Sequence, residues 1–241
     1  MGAEPESGVR DGDAPAGARS AAAPLSPARG RLLRVYRALA EAYGPQHWWP
    51  AESPFEVMVG AVLTQNTAWR NVERALATLS GRIPLSAEAI LGLPPDELGR
   101  LLRPVGYFNV KTRRLRAFCA AYLEAGGMEG LALLRTGELR GRLLGIHGVG
   151  PETADDMLLY AFNRPVFVVD AYTRRIFVRL GVLHGGEGYE VIRAFFETAL
   201  GPDVRQYNEY HALIVRHGKD VCRAKPRCTD CCLRPLSLIH I

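Results

Sequence analysis

The chain has 241 residues, 48% of them hydrophobic, and a formal net charge of +5. That length allows one sizeable core or two small lobes, and the modest basic excess fits either a nucleic-acid partner or a solvated basic surface, while excluding the strong bias of a histone-like protein. No apolar run approaches the roughly 18 residues of a membrane span and no signal-peptide core precedes residue 31, so the expectation is a cytoplasmic protein with no membrane partner.

Residues 1–30 are rich in Ala, Gly, Pro and Ser without apolar periodicity, which predicts a disordered tail. This tail holds three arginines and four acids, so the positive excess rests on the remainder. From Arg31, Leu32, Leu33, Tyr36, Leu39, Ala40 and Tyr43 recur at three and four and form one helical face. Gly44 and the prolines of "YGPQHWWPAESP" stop it and are expected to expose the pair Trp48 and Trp49 in an irregular segment. Ser53 as N-cap, Pro54 at the first helical position and Glu56 three residues on predict a buried helix, interrupted by the polar "TQNT" at 64–67, with another helix starting near Ala68. Further short helices end at Pro94–Pro95, Pro104–Gly106 and Gly126–Gly127, and more are read in "TGELRGRLL", "RAFFETALG" and "VRQYNEYHALIVRHGKDVC". "RPVFVVD" is the best strand candidate and too short to anchor a sheet. The expected fold class is all-α, about ten short helices joined by tight turns.

The stretch "LLGIHGVGPETADDMLLYAF" (143–162) breaks a helix sharply and restarts it. Gly148 and Gly150 can take positive φ and leave backbone N–H groups uncovered around Val149, and Pro151 suits the first position of the next helix. A glycine loop feeding a helix N-terminus suits an anion such as a phosphate; read alone, it serves equally as a hairpin that merely packs two helices.

"GIHGVGPETADDMLLYAFNRPVFVVDAYTRRIFVRLGV" resembles the helix-hairpin-helix and aspartate segment of the endonuclease III superfamily of DNA glycosylases. "FEVMVGAVLTQNTAW" is similar to that family's second conserved block, and the C-terminal cysteines to its iron–sulfur loop, so the resemblance spans most of 31–232. Within the superfamily, "HWWP", "GAVLTQNTAW" and "VGYFN" are most similar to the bacterial 3-methyladenine glycosylases of endonuclease III type. The resemblance implies a two-lobed helical glycosylase domain over 31–221 with its cleft between the lobes, then a cysteine loop over 222–241. It also implies a monomer that acts on double-stranded DNA containing a damaged base.

Asp170 matches the family's catalytic aspartate. A carboxylate beside the sugar stabilises the oxocarbenium character that develops as an N-glycosidic bond breaks, and it can orient water; Asp170 also reads as the N-cap of a helix over 171–180. Bifunctional members place a lysine where this chain has Glu152. A lysine amine attacks the sugar and leads to strand cleavage; a glutamate cannot, so the resemblance implies a monofunctional enzyme, with Glu152 as a helix-start acid. Gln65 and Asn66 match the region that inserts a polar wedge into the duplex. Trp48, Trp49 and Trp69 are candidates to stack on a flipped base, with core packing as the competing role, and cation–π attraction would favour a cationic N-alkylated purine. Lys111, Arg113, Arg114, Arg174 and Arg175 are candidate phosphate contacts.

Five cysteines are present, four of them within 222–232. Such crowding points to metal or cluster binding. "CRAKPRCTDCCLRPLS" resembles the family's [4Fe–4S] loop, with Cys222, Cys228 and Cys231 matching the first three ligands. The position matching the fourth is Ser237; Cys232 is a second option, and a zinc site built from the same cysteines is the alternative metal. The ending "SLIHI" departs from the family pattern, and a truncated or non-native end is expected there. Arg223, Lys225 and Arg227 would give this loop a basic face toward DNA, and Cys119 is expected to be buried.

Overall fold

A computed structural model describes residues 27–238. Twelve α-helices are assigned there: α1 (Pro27–Tyr43), α2 (Pro54–Leu63), α3 (Trp69–Ser80), α4 (Ala87–Gly92), α5 (Pro95–Leu101), α6 (Phe108–Glu124), α7 (Gly127–Ala132), α8 (Thr136–Leu144), α9 (Pro151–Asp156), α10 (Ala171–Arg179), α11 (Tyr189–Leu200) and α12 (Val204–Asp220). A π-helical turn, Met157–Ala161, continues α9, and 3-10 turns occupy Arg103–Val105 and Arg234–Leu236. The described residues contain no strand; 164–170, the strand candidate, has no regular secondary structure. The expected tail lies outside the described residues up to residue 26, but Pro27–Gly30 already belong to α1, where Pro27 supplies a fixed φ at the start.

The helices form where local chemistry directs them. Ser53 Oγ accepts from the Glu56 amide at 3.2 Å, satisfying one exposed donor at the start of α2, and the Glu56 carboxylate accepts from the amide of Glu52, just before the cap, at 2.9 Å. Every residue from Val57 to Leu63 is buried, which makes α2 a central helix rather than an amphipathic surface one.

Two hydrophobic cores result. Helices α2 to α9 enclose one, around Met58, Val62, Leu79, Phe118, Leu143 and Met157. The other joins α1 to α10, α11 and α12, around Leu39, Phe167, Phe177, Phe196 and Tyr210. The first helix therefore packs with the last ones, and the middle of the chain forms the opposite lobe. The polypeptide passes between lobes at the π turn, where Leu158 belongs to one core, Leu159 to the other, and the Tyr160 ring packs against both.

Candidate nucleic-acid interface and active site

The turn between α8 and α9 is tight. Val149 N–H donates to the Ile146 carbonyl at 3.0 Å, and Gly148 takes φ +86°. A Cβ there would lie 2.3 Å from Cγ of Arg114, so the turn needs glycine for both conformation and space. Gly150 differs from the sequence expectation: its φ is −93° in extended backbone, which any residue can adopt. Pro151 opens α9 and no side chain caps that helix, so residues 148–153 present backbone to a cleft of about 700 Å³. Gln65, Asn66, Arg114, Asp170 and Arg174 line the same cleft.

Gln65 is held on three sides. Its amide donates to Gly148 O at 2.9 Å and Thr153 Oγ1 at 3.1 Å, and its oxygen accepts from Arg114. The side chain thus braces the hairpin, and the neighbouring Asn66 is the exposed residue, at φ +53°. Lys111 corrects the sequence expectation. It is 2% exposed, and its amine donates to Leu63 O at 2.9 Å and Val105 O at 2.8 Å, out of reach of a phosphate. Burial, with Arg114 nearby, lowers its pKa to about 8. This staple draws the end of α2 toward the turn before α6, where Tyr107 stands 76% exposed at φ +44°. Sequence reasoning missed Tyr107, since nothing in "VGYFN" announces an aromatic side chain forced outward by left-handed backbone.

Asp170 fulfils its predicted structural role. One carboxylate oxygen accepts from Thr173 N at 2.6 Å and Thr173 Oγ1 at 2.8 Å, capping α10. The other lies 3.7 Å from His211 Nε2. Although burial alone would raise its pKa, His211 and the two Thr173 donors hold the carboxyl below the ordinary aspartate value, so it stays ionised. Only 8% of it is exposed, yet it lines the cleft. Its neighbours shift the other way: desolvation first, then surrounding carboxylates, raises Asp156 well above its usual value and raises Glu152 at the exposed rim. Asp170 is therefore the carboxylate of this group that its surroundings favour as an anion, and Glu152, Arg114 and Arg174 share the cleft with it.

The three tryptophans form one cluster with ring centroids 5.0–5.5 Å apart. All three are half-buried, so Trp48 and Trp49 are not exposed as expected of an irregular segment; Gly60 lets Trp49 rest on α2, since a Cβ at 60 would come within 3.2 Å of the Trp49 ring. Trp69 Nε1 donates to Glu73 at 2.8 Å, whereas the buried indole nitrogens of Trp48 and Trp49 have no acceptor. The cluster does not line the Asp170 cleft itself. It connects to it through Tyr160, whose ring lies 5.3 Å from that of Trp49.

Among the remaining basic candidates, Arg113 is exposed and Arg174 lines the cleft while donating to Glu187 O at 2.7 Å. Arg175 is corrected: its guanidinium donates to Cys222 O and Gly218 O, both at 2.8 Å, and serves the cysteine loop. In that loop, Arg223, Lys225 and Arg227 are exposed. Cys222, Cys228, Cys231 and Ser237 line one cavity with His217, and the Arg179 guanidinium lies 3.3 Å from the Cys222 sulfur. Cys232 lies outside that cavity and faces Tyr43. Three thiols facing a common space beside a cation suit an anionic iron–sulfur group. Among the described residues, no group of three or more His, Cys, Asp or Glu side chains is arranged to hold a metal ion. Ser237 is itself described; of the divergent ending, residues 239–241 lie outside the described residues. Cys119 is buried, as expected.

The chain is 46% identical over 210 residues to a Methanocaldococcus jannaschii protein named "Putative DNA repair glycosylase", covering 86% of this chain and 96% of that one. Among solved structures it is similar to an H. pylori 3-methyladenine DNA glycosylase bound to 1,N6-ethenoadenine, with TM-score 0.67, 26% identity, and 80% and 97% of the two chains covered. An endonuclease III–DNA complex shares the fold at TM-score 0.75 and 20% identity, over 87% of this chain and 95% of that one. Residues 59–202, which contain the hairpin, the cleft and Asp170, match the HhH-GPD superfamily base excision DNA repair proteins, and the chain belongs to that family.

Proposed function

We propose that this DNA glycosylase is monofunctional and hydrolyses the N-glycosidic bond of a flipped N-alkylated purine such as 3-methyladenine. The observation that carries the reading is the convergence of the hairpin turn, Asn66 and an ionised Asp170 on one cleft. In this reading the backbone at 148–153 grips a phosphate, Asn66 and Tyr107 occupy the space the extruded nucleotide leaves, and Asp170 faces the deoxyribose. Its charge stabilises the cationic sugar as the base departs, and it orients the attacking water.

Two features favour this over a lyase acting on oxidised pyrimidines. Glu152 stands at the position of the lyase lysine, and the three lysines of the chain are Lys111, Lys219 and Lys225; the first is sequestered and none lines the cleft. Among the described residues, no lysine amine in the cleft is placed to start a Schiff base. Aromatic faces also favour a cationic base by cation–π attraction, and such a base already has a weakened bond and needs little acid catalysis. Trp48, Trp49 and Trp69 are assigned to that base. Cys222, Cys228 and Cys231 would hold a [4Fe–4S] cluster with Ser237 at the fourth position; bound there, it would pin the basic loop of Arg223, Lys225 and Arg227 for DNA contact and take no part in hydrolysis.

The test compares duplexes carrying an N-methylpurine or an oxidised pyrimidine, with borohydride present in parallel. Free methylpurine and an unbroken abasic strand, without a trapped adduct, are expected. Release of the pyrimidine with a covalent adduct would replace this reading by an endonuclease III-like one, and binding without any base release would leave a silent DNA-binding module.

A further inference from the structure

Asp170 has one oxygen tied to Thr173 and one that is not. His211, on α12, approaches the second: its Nε2 lies 3.7 Å from Asp170 Oδ2, is buried, and has no hydrogen-bond partner, while the residue is 5% exposed. The other ring nitrogen, Nδ1, is 2.6 Å from the hydroxyl of Tyr160. An imidazole flanked by a carboxylate on one side and a hydroxyl on the other is not symmetric. A carboxylate can only accept, whereas a tyrosine hydroxyl can donate. The tautomer that satisfies both neighbours carries its proton on Nε2 and accepts from Tyr160 at Nδ1.

We propose that His211 is a positioning residue for Asp170: its Nε2–H, fixed in place by the Tyr160 hydroxyl, sets the orientation of the carboxylate oxygen left free by Thr173. This rests on the assignment of Asp170 to the glycosidic step. The π-helical turn explains how Tyr160 reaches the ring. It adds a residue to that turn, with Phe162 N–H donating to Met157 O, and so rotates Tyr160 away from the α-helical register of α9 toward α12. Because the Tyr160 ring also packs on Trp49, the same side chain links the tryptophan cluster to the carboxylate.

The groups around the pair are Glu152 and Asp156 on α9, Tyr160 on the π turn, Thr173 and Arg174 on α10, and Glu209 beside His211 on α12. Glu152 and Asp156 work against ionisation of Asp170, so removing the His211 donor should make that carboxyl easier to protonate.

Three single variants, one double variant and a spectroscopic reading test the proposal. His211→Leu should lower the single-turnover rate about 10- to 100-fold, the scale of a slightly misplaced reacting group, with duplex affinity unchanged and the acid limb of the rate profile moved to higher pH. His211→Gln, which keeps an amide N–H near the Nε2 position, should recover most of the rate. Tyr160→Phe keeps the ring against Trp49 and should lower the rate in the wild-type background but not when combined with His211→Leu. In 15N-histidine NMR of the free protein, His211 should be the Nε2–H tautomer and should lose that preference in Tyr160→Phe. An Nδ1–H tautomer in the wild-type protein, or a His211→Leu variant with wild-type rate and pH profile, would overturn it. The tautomer is read without substrate, so a wild-type protein that releases no methylpurine would count against the proposed substrate and leave the His211 result standing.

Discussion

At the scale of single residues, the cleft is governed by which carboxylates are stabilised as anions. Asp170 is held below its ordinary pKa, so the stability it contributes is present above the unfolded aspartate value and lost as pH falls through the folded one. Asp156 has the opposite sign: buried among carboxylates, it resists ionisation, and its cost grows as pH rises above the unfolded value. Asp156→Asn should therefore raise the melting temperature by a few degrees at pH 8 and by less at pH 5; equal gains at both would contradict the assignment. Gly148→Val should weaken binding to any duplex at least about 10-fold, because a side chain at φ +86° collides with the Arg114 stem and displaces the turn. Affinity equal to wild type in a fluorescence titration would count against the turn as a DNA contact. The sequence made Gly148 and Asp170 legible because a positive-φ glycine and an N-cap aspartate leave local signatures. Lys111 and His211 were not legible in this way. Their partners Leu63, Tyr160 and Asp170 are distant in the chain, and only packing shows that one amine is a staple and one imidazole faces a carboxylate.

At the scale of elements, the hairpin is braced from behind. Arg140 on α8 meets the fully buried Asp155 of α9 through two bonds of 2.7 and 3.1 Å, and also reaches Glu190 on α11 at 2.7 Å. Burial raises the Asp155 carboxyl despite this pairing, so the pair is better read as fixing geometry than as a gain in stability. Removing one partner is another matter: Arg140→Ala should cost about 3 kcal/mol in denaturant unfolding, since it leaves the buried Asp155 with the more distant Arg193, 3.9 Å away, as its charged partner. A loss under about 1 kcal/mol would show that Asp155 simply takes up a proton or water there. Helix boundaries such as Ser53–Pro54 were readable from capping chemistry. The π turn at Met157–Ala161 was not, because its sequence has the apolar character of an ordinary buried helix and its form is set by the two cores it joins.

At the scale of the molecule, the first and last described α-helices share one hydrophobic core and helices between them enclose the other. Periodicity identified an all-helical chain correctly, but it could not show that α1 packs with α11 and α12, since that partnership is a matter of topology rather than local pattern. The consequence for function is that Asp170, at the start of α10, and the loop after α2 line the same cleft although α2 and α10 pack into different cores. The most direct measurement is the single-turnover rate of base release from an N-methylpurine duplex by wild type and Asp170→Asn, with duplex affinity measured alongside. A fall of at least about 100-fold in rate with affinity preserved is predicted; an Asp170→Asn rate close to wild type would contradict the account.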